Sequence, residues 1–213
     1  TKNIKIMLNL PRNVWILAIC LALFMSLSVF IVFVGGILGN ELADSKSLST
    51  LPVAAIVVGT AVSIFPVIRL MSVFGRKTVF LMICIYSIAL LGLSAFAIIT
   101  GSFLIFCLSS FLLGATVATM NQFRFAAIES VSEEQRATAT AIVLLGGLVS
   151  AYLGPEVATI GKEIFAINFV GSYILLGLLF LIAFILLCFF QPAKKFVEES
   201  DQSKRSLIEI MKQ

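Results

Sequence analysis

Histidine is absent from this 213-residue chain, and aspartate and glutamate together number only 11. The absence excludes imidazole-based metal sites and histidine-activated nucleophiles, and the few acids form no cluster in a polar setting. Cys20, Cys84, Cys107 and Cys188 each lie in a different apolar run, none in CxxC spacing. They read as packing residues rather than redox or zinc ligands. Charged residues make up only 12% of the chain, where a soluble domain carries about 25%. That is too little polar surface to coat a water-soluble globule. No cofactor or metal is expected, no catalytic constellation is visible, and the net charge of +4 is explained by where the cations sit, not by nucleic-acid binding.

Apolar residues make up 60% of the chain, with 19 phenylalanines and a mean hydropathy of +1.12. A hydrocarbon core about 30 Å thick needs about 20 helical residues. Six stretches meet that length with charges only near their ends: 14–38, 51–70, 79–99, 103–123, 137–160 and 164–190. The first is too long for a signal peptide, lacks a small-residue cleavage site and is followed by five more. Residues 1–192 therefore read as an all-α membrane domain of six transmembrane helices. Residues 193–213 read as a cytoplasmic linker or amphipathic tail, because a run of mixed charge gives way to Leu207, Ile208, Ile210 and Met211 at helical spacing.

The loops on one side collect Lys2, Lys5, Arg12, Arg69, Arg76, Lys77, Arg136, Lys194, Lys195, Lys204, Arg205 and Lys212, against Lys46 and Lys162 on the other. By the positive-inside rule both termini are cytoplasmic, in a multi-pass protein of the cell inner membrane.

At 100° per residue, span four gathers Gly114, Ala118, Asn121, Gln122, Arg124 and Glu129 in one arc. Polar groups are costly in hydrocarbon, so such an arc faces a cavity or glues helices together. Arg124 lies 21 residues past Phe103, about 31 Å along the helix, which puts it at the cytoplasmic rim. Ser28, Val32, Gly35 and Gly39 share a face of span one, with a GxxxG spacing suited to close packing. Ser28, Gly35, Asn121 and Gln122 are the candidate cavity residues. Span five carries Gly154-Pro155-Glu156, a helix bend whose carboxylate is either solvated at the outer interface or a proton carrier. Spans three and six carry few polar atoms and are expected to face lipid. Tyr86-Ser87-Ile88-Ala89-Leu90-Leu91-Gly92 in span three is echoed by Ser172-Tyr173-Ile174-Leu175-Leu176-Gly177 in span six, a weak sign of a three-span repeat.

Between spans two and three, Ser72-Val73-Phe74-Gly75-Arg76-Lys77 resembles the end of the loop signature GxxxDRxGRR of the major facilitator superfamily. Ile68, Ser72 and Val73 replace its glycine, aspartate and first arginine. After span four, Glu129 and Ser132-Glu133-Glu134-Gln135-Arg136-Ala137 resemble the family's acidic residue and PEERGRA-type loop. Gly154-Pro155 partly matches the antiporter element GPxxGG, with Ala158 and Thr159 replacing its glycines; of RxxQG in span four only Gly114 matches, with Ser110 and Leu113 elsewhere. The resemblance implies one six-helix half of a major-facilitator fold, built as a 3+3 inverted repeat, in a secondary transporter of a small solute working by alternating access. It implies ion- or proton-coupled efflux or uptake, and partners in a small-molecule substrate, membrane lipid and a second six-helix half. It also implies a cytoplasmic gate of Arg69, Gly75, Arg76, Lys77, Arg124, Glu129 and Arg136, with Glu129 paired to Arg76 or Arg69. The alternative is a non-transporting six-helix module that associates through its small-residue faces.

The cation asymmetry predicts that cysteines introduced at Asp44 or Lys162 react with an impermeant reagent from outside, while tags at either terminus are reached only from the cytoplasm. External labelling near Lys195 reverses the orientation.

Overall fold

A computed structural model describes residues 10–192 of the chain; the tail expected at 193–213 lies outside them. Among the described residues seven α-helices follow one another: α1 Arg12–Leu42, α2 Leu51–Phe74, α3 Arg76–Ile99, α4 Phe103–Met120, α5 Phe123–Glu129, α6 Arg136–Lys162 and α7 Val170–Cys188. With α4 and α5 counted together as Phe103–Glu129, six spans are long and apolar enough to cross a bilayer. The chain is an integral, multi-pass, all-helical membrane protein. Helices satisfy every backbone donor and acceptor internally, as hydrocarbon demands. The first and last helices meet at one end of the bundle, where Arg12 Nη2 donates to the Phe189 carbonyl at 3.1 Å and Asn13 Nδ2 to the Gln191 carbonyl at 2.5 Å. This is called the termini end below.

The helices associate in pairs. α1 packs most extensively on α6, α2 on α4 and α3 on α7. The first two pairs run parallel and touch backbone to backbone through glycine. A Cβ on Gly114 would collide with the Gly59–Thr60 backbone, and one on Gly59 with the Phe111 carbonyl. On the other pair, a Cβ on Gly146 would lie 2.5 Å from the Ala18 carbonyl oxygen and one on Gly154 2.8 Å from Val29. Lipid tails are as apolar as leucine, so close packing of this kind, not water exclusion, holds membrane helices together. The antiparallel α3 and α4 are joined by hydroxyls instead: Ser87 to Thr116 at 2.7 Å and Ser94 to Ser109 at 2.8 Å, with Tyr86 donating to the Leu112 carbonyl at 3.1 Å.

An aromatic column fills the centre. Phe123 stacks on Phe80 with centroids 4.5 Å apart and meets Phe24 edge-on at 4.9 Å; Phe24 also contacts Phe180 at 4.8 Å. Buried rings of α1, α3, α5 and α7 thus form one cluster, in which Phe123, the first residue of α5, lies between Phe80 and Phe24.

Three expectations need correction. Span six begins at Val170, not 164, because Gly161 packs against the Ser172 backbone and Ser172 Oγ bonds the Ala158 carbonyl at 2.8 Å. Residues 163–169 become a loop that ends at Phe169 with φ of +66°. The most exposed spans are α2 and α6, with 22% and 33% of their apolar windows buried, against 50% and 44% for α3 and α7. A scarcity of polar atoms let α3 and α7 pack on each other as well as face lipid. Gly35, expected beside a cavity, is buried, its missing Cβ 3.1 Å from Val53, and Gly39 abuts the Ser49 carbonyl. The GxxxG element of α1 is packing.

Gly114→Val should therefore destabilise the fold by about 1–3 kcal/mol or more through overpacking, whereas Gly92→Ala, where an added Cβ meets nothing within 4 Å, should gain about 0.5–1 kcal/mol from helix propensity. Thermal unfolding of the two variants in detergent checks the contrast.

Candidate functional site

The turn between α2 and α3 is a single residue. Gly75 takes φ of +80° while its N–H bonds the Met71 carbonyl at 3.0 Å, so one helix ends and the next begins without a loop. A side chain at that φ is strained, which is why glycine stands there. The turn points Arg76, first residue of α3, toward the fourth span. Arg76 Nη2 lies 2.6 Å from Glu129 Oε1 on α5, and its Nη1 donates to Gln122 Oε1 at 3.4 Å. The guanidinium thus holds both ends of α5, the turn that interrupts span four and the last residue of the short helix after it.

That interruption was not expected from the sequence. Asn121 and Gln122 form a turn between α4 and α5. The longer segment α4 packs mainly on α2 and α3, the short α5 mainly on α6 and α1. The buried Phe123 anchors the reoriented segment in the aromatic column. The polar arc drawn on one continuous helix is therefore split. Gly114 and Ala118 are buried in packing, Asn121 is exposed with Nδ2 on the Val117 carbonyl at 3.4 Å, and Gln122 turns to Arg76. Ser28 is half-buried on α1.

The remaining gate candidates stand apart from this centre. Arg69 is exposed and forms no ion pair among the described residues. Its carbonyl accepts from Ser72, the residue at the family's aspartate position, at 2.7 Å. Arg136 pairs with Glu133 at 3.1 Å within its own turn, and the Arg124 guanidinium lies 4.9 Å from the Phe125 ring centroid. Lys77 Nζ donates to the Cys188 carbonyl at 2.8 Å. With Arg12 on Phe189, it caps the last carbonyls of α7, where cations complement the helix dipole. α6 runs unbroken through Gly154-Pro155, and Glu156 is half-buried without an ion pair among the described residues.

The side chains of Arg76 and Glu129 are 26% and 54% exposed. Water and salt screen such a pair, so it belongs near the surface value of about 0–1 kcal/mol, not the 3–5 kcal/mol lost when one partner of a buried pair is removed. A double-mutant cycle of Arg76→Gln and Glu129→Gln should give a coupling energy of about 1 kcal/mol that shrinks as salt rises. Zero coupling at low salt makes the two charges independent.

The sequence profile of the Major Facilitator Superfamily matches residues 14–212. The riboflavin transporter RfnT of Brucella anthropi is 34% identical over 173 residues, 79% of this chain and 43% of that protein. Two uncharacterized MFS-type transporters of Bacillus subtilis, YddS and YdeG, are 31% and 29% identical, over 78% and 73% of this chain and 39% and 37% of their own lengths. The chain spans less than half the length of these curated relatives. No solved structure matches it significantly. With six membrane spans and a profile match across nearly the whole sequence, the chain belongs to the Major Facilitator Superfamily.

Proposed function

We propose that this chain is one six-helix half of a secondary transporter that moves a small solute by alternating access, with both termini cytoplasmic. The observation that carries the reading is the openness of α2 and α6, the two least buried spans. Together with a length under half that of the relatives, it leaves a side for a second six-helix unit. The helix pairing supports a 3+3 inverted repeat. An operation exchanging spans one and four, two and five, and three and six carries the α1–α6 pair onto α4–α2 and maps α3–α7 onto itself.

In this reading the Arg76–Gln122–Glu129 centre is a cytoplasmic latch. It ties the α2–α3 turn to α5, and breaking it frees the inner segment of span four. A latch worth about 1 kcal/mol biases two conformers by about fivefold, enough to favour one state without locking it. Riboflavin is the first solute to test, on the likeness to RfnT. Glu156 is assigned to solvated surface: it lies six residues before Lys162, about 9 Å from the far end of α6.

The test is flux. The full-length protein in proteoliposomes should take up riboflavin or another small solute, and residues 1–213 alone as a monomer should not; solute flux by that monomer overturns the half-transporter reading. Absence of flux by the full-length protein across a broad panel favours a non-transporting module. Glu156→Gln should leave the pH dependence of flux unchanged, and its loss would make that carboxylate the proton carrier.

A further inference from the structure

α2 and α3 are joined by one residue, yet each packs more on α4 than on the other. The hairpin therefore gapes, and α4 closes the back of the opening. The result is a cleft of about 240 Å³ lined by Pro66, Val67 and Leu70 of α2, Val79, Met82 and Tyr86 of α3, and the small Ala115 of α4. The volume equals that of about eight water molecules. Water has little to bond there, since the Tyr86 hydroxyl is already committed to the Leu112 carbonyl and the rest of the lining, apart from Ser63, is hydrocarbon. An apolar occupant fits such a lining better than water does.

Depth and charge identify its class. Leu70 stands four residues, about 6 Å, from the end of α2 at Phe74, and Ser63 eleven residues, about 16 Å. One leaflet of hydrocarbon is about 15 Å thick, so the cleft spans the chain region of the leaflet on the side of the α2–α3 turn. Leu70 and Met82 at its mouth are exposed. Next to Leu70 comes Arg69, an exposed guanidinium within the last two turns of α2, with no ion pair among the described residues. A long basic side chain there reaches the headgroup layer while its stem stays in hydrocarbon.

We propose that the α2–α3–α4 cleft binds an anionic phospholipid, one acyl chain lying against Ala115 and the phosphate held by Arg69. Each added cation near a membrane surface favours an anionic lipid about fivefold. The site rests on the membrane-spanning arrangement and on the second six-helix unit leaving the α3-facing edge of α2 to lipid, not on transport, so failure of the flux test leaves it standing.

A tryptophan placed in the cleft reports its occupant. The full-length protein with Met82→Trp, and with Trp15 and any other tryptophan replaced by phenylalanine, is reconstituted with lipids carrying bromine on one acyl chain, which quench fluorescence on contact. Brominated phosphatidylglycerol should reach half-maximal quenching at about a fivefold lower mole fraction than brominated phosphatidylcholine. Adding Arg69→Gln should make the two equal, and inorganic phosphate should not compete, which separates a lipid headgroup from a free anion. Equal quenching with Arg69 intact overturns the headgroup assignment; no quenching by either lipid means the rest of the protein covers the cleft and overturns the site itself. Retention of phosphatidylglycerol by the otherwise unaltered protein in native mass spectrometry, lost in Arg69→Gln, supports the same assignment without the tryptophan; equal retention by both proteins counts against it.

Discussion

Backbone-to-backbone approach at glycine is the interaction on which the other features depend. In lipid, removal of apolar surface from water no longer separates good packing from bad, so helices cohere where atoms come closest. Gly59 and Gly114 fuse α2 to α4, Gly146 and Gly154 fuse α6 to α1, and hydroxyl pairs tie α3 to α4. Two packed groups result, α2–α3–α4 and α1–α5–α6, with α7 lying against α3 of the first and against α1 and α6 of the second. Arg76 stands on the first group and Glu129 on the second, and the Asn121–Gln122 turn is one of the covalent links between them.

The termini end uses its cations in two different ways. Lys77 and Arg12 sit on the final carbonyls of α7, where an unpaired acceptor would be costly to leave dry and a positive charge is favourable. Arg76 is given to a carboxylate that is more than half exposed. The first arrangement is architectural and is made to backbone, which cannot move away. The second is made to a side chain on a seven-residue helix, which can.

Much of this was legible in the sequence because hydropathy and charge are local. Four of the six spans start and end within four residues of their expected limits, and of the two partners expected for Glu129, Arg76 or Arg69, the structure pairs it with Arg76. What escaped depends on contacts between distant segments. The break at Asn121–Gln122 has no proline or glycine to announce it; it follows the seating of Phe123 among Phe80 and Phe24. The late start of α7 follows from Gly161 against Ser172, and the burial of α3 from its packing on α7. One missed signal was present all along: Ser87 and Ser94 are seven residues apart on α3, as Ser109 and Thr116 are on α4. Antiparallel helices with matched seven-residue spacing bring both pairs into register.

The one-residue connection at Gly75 also bears on how the protein is made. Two 24-residue helices joined by a single glycine have no slack with which one could settle across the bilayer while the other waited outside. In the proposed orientation they form a closed hairpin whose tip, with Arg76 and Lys77, lies on the side from which synthesis feeds the chain. The tight turn therefore couples the placement of α2 to that of α3, and a residue with a side chain at position 75 would strain the only link between them.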